Sequence, residues 1–217
     1  QKGAFCFFIY VLGASVHARA YYSGASGPVR SICVLPLKLR TMSEKYKIYN
    51  GGLFFVTLTV VGWIDIFTRR EYADEVVQNL NYCTKHKGLR IYSYCLMPSH
   101  LHMICLVEDG HLSGLLRDFK SYTAKRILAQ IENNPIESRK EWLLYLFRFF
   151  KQHNTHNKEF QFWQQHNHPI DLTDTPMLQQ KINYIEQNPV VAGLVTDAAY
   201  YTSSSANPSN AVILAEV

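Results

Sequence analysis

Residues 89–107 read LRIYSYCLMPSHLHMICLV, and their pattern predicts the central strands of the molecule. Alternating polar and apolar side chains predict a strand over residues 89–96, and the apolar run after it predicts a second strand over residues 101–107. Pro98 and Ser99 interrupt the pattern only briefly, so the two strands are expected to pair as an antiparallel hairpin. An antiparallel sheet is therefore the expected centre of the molecule.

The flanking sequence supplies further strands and helices. Two more strands are predicted at residues 53–61 (LFFVTLTVV) and 169–172. Helices are predicted at residues 71–87, 111–131 and 173–187, with Gly88 ending the first and Asn188-Pro189 ending the last. The apolar run 142–150 predicts a further helix or an insert. The order favours an α+β fold with a ferredoxin-like β-α-β-β-α-β core, its helices on one face of an antiparallel sheet.

The chain is expected to divide into one domain and two terminal segments. The domain would span residues 42–200, with an insert near 135–160, and the Ser/Asn/Pro-rich residues 201–217 would form a flexible tail. Residues 1–41 are interpreted as an N-terminal extension of doubtful standing, translated from upstream sequence. A secreted protein is the alternative, because an apolar run over 5–16 precedes Ala18-Arg19-Ala20, which mimics a signal-peptidase site. The five cysteines lack disulfide or zinc spacing, which favours a reducing, cytoplasmic compartment. The apolar run 5–16 is too short to span a bilayer as a helix, so no membrane partner is expected.

The net charge of +5 is a weak argument for a nucleic-acid partner. Residues 1–41 hold five of the 22 basic residues and no acidic residue, so the remainder balances at 17 basic and 17 acidic residues. Residues 117–151 nevertheless hold eight basic residues against four acidic ones. Such a local surface can bind phosphates, although a solvated helical face is the simpler explanation.

The first candidate site is the pair His100 and His102. Residues two apart on a strand point to the same side of the sheet, so both imidazoles are expected to project together. Two imidazoles at this spacing can share one divalent metal ion. Taken alone the motif is weak, because two ordinary polar residues on a strand would look the same.

The second candidate site is the last predicted helix. Tyr184 and Asn188 are four residues apart, and Lys181 is three before the tyrosine, so a phenol, an amide and an ammonium can share one helix face. A phenol with an ordinary pKa of about 10 is a poor nucleophile at neutral pH. A metal or cation beside it would favour the phenolate and polarise the phosphate it attacks. A core tyrosine next to a helix-ending Asn-Pro is the alternative.

Five segments of the chain resemble one family. They are YNGGLFFVTLT (49–59), MPSHLHMI (97–104), FKSYTAKRI (119–127), FWQQHNHPI (162–170) and YIEQNPVVAGLV (184–195). In this order they resemble the REP-associated tyrosine transposases of the single-tyrosine HUH superfamily, named for its His-hydrophobic-His motif. The resemblance covers residues 46–195.

The resemblance implies a role for each matching residue. His100, His102 and Asn188 would bind Mg²⁺ or Mn²⁺, and Tyr184 would be the nucleophile. The implied activity is DNA transposition, in which single-stranded hairpin DNA is cleaved and rejoined through a 5′-phosphotyrosine intermediate. It implies either a monomer or a homodimer.

Further residues are expected to touch DNA. The basic candidates are Lys120, Lys125, Arg126 and Lys181, while Trp163 would either stack on a base or pack inside the protein. Tyr122 is a rival nucleophile that ranks below Tyr184, because its helix carries no Asn one turn later.

Two other functions remain open at this point. A domesticated or non-catalytic hairpin-DNA-binding protein could use the same scaffold. A metal-dependent hydrolase that acts on no nucleic acid could use the histidines, although it would not need Tyr184 one turn from Asn188.

Overall fold

The computed structural model describes residues 48–108, 110–152, 159–172 and 174–216. Within them, four strands form one antiparallel sheet in the order β2-β3-β1-β4. The strands are β1 (Phe54–Thr59), β2 (Leu89–Met97), β3 (His100–Val107) and β4 (Ile170–Asp171). The interpretation of residues 1–41 lies outside the described residues.

The same described ranges contain four α-helices, so the α+β class is confirmed. They are α1 (Arg70–His86), α2 (Leu112–Asn133), α3 (Lys140–Lys151) and α4 (Thr175–Val191). The apolar run expected as a helix or insert is α3. No helix in the described part of the chain is long and apolar enough to cross a membrane.

The predicted hairpin of β2 and β3 forms, and its register sets the position of the histidines. Met97 lies opposite His100 across the hairpin, and Cys95 lies opposite His102. On the other side of β3, strand β1 places Thr57 opposite His102. Both histidines therefore lie on a central strand that is held from both sides.

The sheet is covered on both faces, which corrects the expectation of helices on one face. On the first face, buried side chains of β3 such as Leu101 and Met103 pack in one apolar cluster with α1 and α2. On the second face, Phe55 and Ile104 pack in a separate cluster with Ile185 of α4. Because the central strands are apolar on both sides, a single helical layer would have left the second side in water.

Helix α4 runs past Asn188-Pro189, where the sequence predicted its end. Pro189 lies inside the helix, and the chain turns only after Ala192. Gly193 adopts a φ of +71° and donates its N–H to Val190 O at 2.9 Å, while Leu194 N–H bonds Pro189 O at 2.9 Å. This Schellman closure shows that Gly193 is the stop signal.

The segment after α4 is paired to the sheet, in contrast to the flexible tail expected for residues 201–217. Ser204 forms an antiparallel bridge with Cys95, and Ser205 N–H bonds Tyr94 O at 2.9 Å. Val212 is 5% exposed and belongs to the core cluster on the first face. The segment covers the free edge of β2, and a polar composition does not exclude such pairing.

A buried carboxylate ties α1 to the segment between α2 and α3. The side chain of Glu137 is fully buried, 3.4 Å from Arg69 Nε and 3.2 Å from Arg139 Nε, and it accepts a hydrogen bond from Tyr72 Oη at 3.3 Å. Burial alone would raise the pKa of Glu137. Hydrogen bonds from Arg139 and the charges of Arg139 and Arg69 outweigh burial and hold it below its usual value.

Candidate active site

The two histidines project together from β3, as their spacing predicts. Their ring centroids are 4.6 Å apart with an interplanar angle of 76°. His102 Nδ1 lies 2.9 Å from Thr57 Oγ1, and His100 Nδ1 lies 3.1 Å from Ser99 Oγ. When each Nδ1 carries the proton, each Nε2 presents a lone pair, which is the state a metal-binding histidine needs.

Burial keeps both imidazoles neutral. It lowers the pKa of His100 to about 4, despite the opposing charge of Asp65. It lowers the pKa of His102 to about 3, with further lowering from the nearby His100 and Lys181. Neutral imidazoles at physiological pH are able to coordinate a cation without first losing a proton.

Helix α4 brings Tyr184 and Lys181 to the histidines. The Tyr184 ring centroid is 5.3 Å from that of His102, in an edge-on arrangement, and Tyr184 is 47% exposed. Lys181 Nζ lies 4.8 Å from the centroid of the Phe55 ring and 5.4 Å from that of Tyr184. A cation, a phenol open to solvent and two imidazoles thus share one surface.

Asn188 lies one helical turn after Tyr184 on the same side of α4 and is half-buried. Among the described residues, no group of three His, Cys, Asp or Glu side chains is placed to hold a metal ion. A metal at the histidine pair would therefore need a third ligand of another kind, such as an amide or a substrate oxygen.

Trp63 also lies beside the candidate site, although the sequence did not indicate it. Its ring centroid lies 5.2 Å from that of His100, and the side chain is 60% exposed. Trp63 ends a one-turn 3₁₀ helix (Val61–Trp63) and has a φ of +55°, which is rare for a bulky residue. Gly62 is a sequence signal for a turn at this point. It does not indicate that the turn places Trp63 beside the histidines.

The hydroxyl partners Thr57 and Ser99 were also missed as site residues. In the sequence, Ser99 marks only a break between two predicted strands, and Thr57 is only one residue of a predicted strand. Cross-strand register joins Thr57 to His102, and register cannot be obtained from either segment alone.

Two of the basic residues expected to contact DNA are engaged within the protein. Lys120 Nζ donates to the backbone oxygens of Gln164 and Gln165 and, at 2.9 Å, to Asn167 Oδ1. Burial lowers the pKa of Lys120 to about 8. An ammonium has three N–H donors, and all three are used here, so Lys120 positions the 164–167 segment.

Arg126 and Lys125 differ in their surroundings. Arg126 Nε lies 3.4 Å from Oε1 of the buried Glu75, which joins α2 to α1. Lys125 is exposed and lines a cavity of about 990 Å³ between α2 and residues 159–167. Of the basic candidates on α2, Lys125 is thus the better placed for an external phosphate.

The two aromatic candidates on the first face of the sheet lie away from the histidines. Trp163 is 5% exposed and donates its Nε1–H to Thr123 Oγ1 at 3.0 Å, which favours packing over stacking on a base. Tyr122 is 54% exposed on α2, the helix that covers the face opposite to the histidine pair.

The chain is similar to a solved structure described as a REP-associated tyrosine transposase bound to a REP hairpin. The likeness has a TM-score of 0.52 and 17% sequence identity, over 74% of this chain and 79% of that chain. At this identity the likeness shows a shared fold. No family model and no curated protein matches the chain.

Proposed function

We propose that the chain is a DNA transposase that cleaves and rejoins single-stranded, hairpin-containing DNA through Tyr184. The observation that carries the proposal is the exposed phenol of Tyr184, 5.3 Å from the ring of His102. A tyrosine that only packed in the core, or that only preceded a helix-ending Asn-Pro, would not need to lie beside two imidazoles on a solvent-facing surface. The fold-level likeness to a transposase bound to a hairpin supports the choice of substrate.

The proposal extends to the architecture and the setting of the enzyme. The four strands with α1 and α2 would form a ferredoxin-like core, to which α3 and α4 are added. The protein would work in the cytoplasm as a monomer or a homodimer.

The donor set fits a divalent ion. The Nδ1 atoms of His100 and His102 are bonded to hydroxyl groups, which leaves two Nε2 atoms, and the amide oxygen of Asn188 would be the third ligand. Mg²⁺ prefers oxygen ligands, so two imidazoles make Mn²⁺ the better match of the two ions proposed. When bound, the ion would supply charge stabilisation at the phosphoryl oxygens.

The chemical step is assigned to the side chains of α4. The Tyr184 phenol oxygen attacks the phosphorus of the DNA backbone, and its proton passes to solvent. A P–O bond to Tyr184 forms as the bond between phosphorus and the 3′ oxygen breaks, and this oxygen takes a proton. The products are a 5′-phosphotyrosine and a free 3′-hydroxyl, and the reverse reaction rejoins the strand. Lys181 stabilises negative charge on the phenolate and phosphate.

Covalent capture tests this assignment. The protein is incubated with single-stranded hairpin DNA and Mn²⁺, and adducts that survive denaturation are separated on a gel. The wild type should form an adduct, and Tyr184→Phe should abolish it. Tyr122→Phe is the matched control, because it removes the same hydroxyl from an equally exposed tyrosine on the opposite face. Adducts that persist in Tyr184→Phe and vanish in Tyr122→Phe would overturn the assignment.

The second candidate is a non-catalytic hairpin-DNA-binding protein on the same scaffold. It would bind hairpins tightly and form no adduct with any of them. The metal-dependent hydrolase is less well supported, because such an enzyme gives no reason for Lys181 and Tyr184 to lie against the histidine pair.

A further inference from the structure

The turn that carries Trp63 has a backbone conformation that its own residues do not favour. Gly62 and Trp63 have φ values of +61° and +55°, and the second is costly for a residue with a bulky side chain. The indole is 60% exposed, so burial of its ring in the core does not explain the conformation. Contacts with other parts of the protein must therefore hold the turn.

Both ends of the segment 60–67 are attached to the connection between β2 and β3. At the first end, Val60 N–H donates to Ser99 O at 2.9 Å. At the second end, Phe67 N–H donates to Pro98 O at 2.9 Å. These bonds fix where the segment leaves the sheet and where it returns. The middle of the segment, which contains the strained residues, needs a further support.

Helix α3 supplies that support from its two ends. At its last turn, the Phe150 ring packs so closely on Gly62 that a Cβ added there would lie 2.6 Å from two ring atoms. Just before its first turn, Arg139 Nη1 donates to Asp65 O at 3.0 Å. The same guanidinium is fixed by the buried Glu137, which lies 3.2 Å from Arg139 Nε. Helix α3 thus holds the middle of the segment at two points.

The other side of the turn contacts the histidine pair. The Trp63 ring centroid lies 5.2 Å from that of His100, with an interplanar angle of 74°. Edge-to-face contacts between aromatic rings have a preferred geometry, so the indole restrains the orientation of the imidazole. Ser99 Oγ, 3.1 Å from Nδ1, restrains the same imidazole at a different point. The orientation of His100 therefore depends on where the turn holds Trp63.

We propose that Trp63 is a positioning residue for the metal ligand His100, and that α3 keeps Trp63 in place by packing Phe150 against Gly62. Helix α3, which follows the core elements as an insert, thereby has a function in the site without contributing a ligand to it. The effect on metal binding rests on the proposed function. The restraint on the imidazole rests on the ring contacts alone.

Titration with Mn²⁺ in the absence of DNA tests the role of Trp63, by isothermal titration calorimetry. Trp63→Ala should weaken Mn²⁺ binding by about 2- to 12-fold, the range expected for the loss of one contact between aromatic rings. Trp63→Phe keeps a ring beside His100 and should restore most of the affinity. A residue that served only the stability of the turn would not show this rescue.

The same titration tests the route from α3. Phe150→Ala should weaken Mn²⁺ binding by no more than Trp63→Ala does, and the double variant should be no weaker than Trp63→Ala alone. Gly62→Ala reaches the same contact from the side of the turn and should also weaken binding, because its Cβ would displace the Phe150 ring. Trp142→Ala is the control, since it removes a 52%-exposed ring from the first turn of α3. Urea denaturation confirms that each variant is folded.

NMR spectra of the His100 ring protons in the metal-free protein separate this proposal from the proposed function. Trp63→Ala removes the ring current of the indole and should shift these signals. Phe150→Ala should shift them as well, because it releases the turn. Trp142→Ala should leave them unchanged.

Three results decide between the possibilities. Unchanged Mn²⁺ affinity in Trp63→Ala, in a protein whose Mn²⁺ binding is abolished by His102→Ala, would overturn the positioning role. Additive losses of affinity in the double variant would show that Phe150 does not act through Trp63, and would overturn the route from α3. Shifted His100 signals in a protein that binds no Mn²⁺ would keep the restraint on the imidazole and reject the metal site of the proposed function.

Discussion

At the level of single residues, two hydroxyl groups determine how the histidine pair can act. Thr57 Oγ1 and Ser99 Oγ bond the Nδ1 atoms of His102 and His100, at 2.9 and 3.1 Å. Each bond restrains the orientation of one imidazole and occupies its Nδ1. Partners of this kind fix the tautomer of a metal-binding histidine and support its affinity for the metal.

Replacing Thr57 with valine should weaken Mn²⁺ binding by about 10- to 100-fold, because the shape is kept while the partner of His102 Nδ1 is lost. Isothermal titration with Mn²⁺ measures the effect. The control is Thr84→Val, which removes a hydroxyl bonded to Leu80 O on α1. Equal Mn²⁺ affinity in both variants would argue against the histidine pair as the metal site.

The candidate site was predictable from the sequence only where its residues lie close together in the chain. His100 and His102 are separated by one residue, and Tyr184 and Lys181 by less than one helical turn, so local spacing predicted which side chains share a face. Trp63 required a left-handed turn that places it beside His100. Lys120 looked like a free cation because its acceptors lie more than forty residues away.

At the level of elements, the connection between α2 and α3 depends on one buried carboxylate. Glu137 is enclosed by Arg69, Arg139 and Tyr72, and its pKa is held below the usual value. A carboxyl group whose folded pKa is lowered stabilises the fold above its unfolded pKa of about 4.3. That stabilisation is lost as the pH falls through the folded value.

Glu137→Gln should lower the free energy of unfolding at pH 7 by about 2–3 kcal/mol, because two arginines lose their partner in a largely buried setting. The loss of stability on acidification below about pH 5 should also become smaller than in the wild type. Urea denaturation at several pH values measures both effects. Glu108→Gln, which breaks the half-exposed pair with Arg90, should cost about 0.5 kcal/mol or less. If both substitutions lowered the free energy of unfolding equally, Glu137 would not be what stabilises the connection between α2 and α3.

The ends of elements were harder to predict than their existence. The hairpin of β2 and β3 formed as expected because its pairing is local. The end of α4 was misplaced by one turn, because Pro189 costs only one hydrogen bond close to a helix end that Gly193 then closes.

At the level of the whole molecule, the expected and observed folds differ most at the second face of the sheet. Apolar residues on both sides of β1 and β3 required a second cover, and α4 with the following segment provides it. The cover explains how Tyr184 reaches the histidines, since a helix on the first face would be separated from them by the sheet. The Ser/Asn/Pro-rich composition of residues 201–217 suggested a flexible tail. A segment that pairs with a strand edge through its backbone needs few apolar side chains, so its sequence does not indicate the pairing.

Removal of residues 203–217 should therefore destabilise the whole domain. The loss includes the buried Val212 and three backbone hydrogen bonds to β2, to Leu96 N, Tyr94 O and Ile91 O. We expect the free energy of unfolding to fall by about 3 kcal/mol or more, measured by urea denaturation. Ser209→Ala, an exposed change in the same segment, is the control. A truncated protein as stable as the wild type would show that the segment adds nothing to the fold.

In the proposed reaction, Tyr184 becomes linked to the 5′ phosphate of a cleaved single strand. The most direct measurement uses a hairpin oligonucleotide with different fluorophores at its 5′ and 3′ ends, incubated with the protein and Mn²⁺. We predict that the 3′ label remains with the denatured protein, that the 5′ label is released on a strand with a free 3′-hydroxyl, and that mass spectrometry finds the nucleotide on Tyr184. Retention of the 5′ label, or linkage to another residue, would show that Tyr184 is not the nucleophile of a 5′-phosphotyrosine reaction.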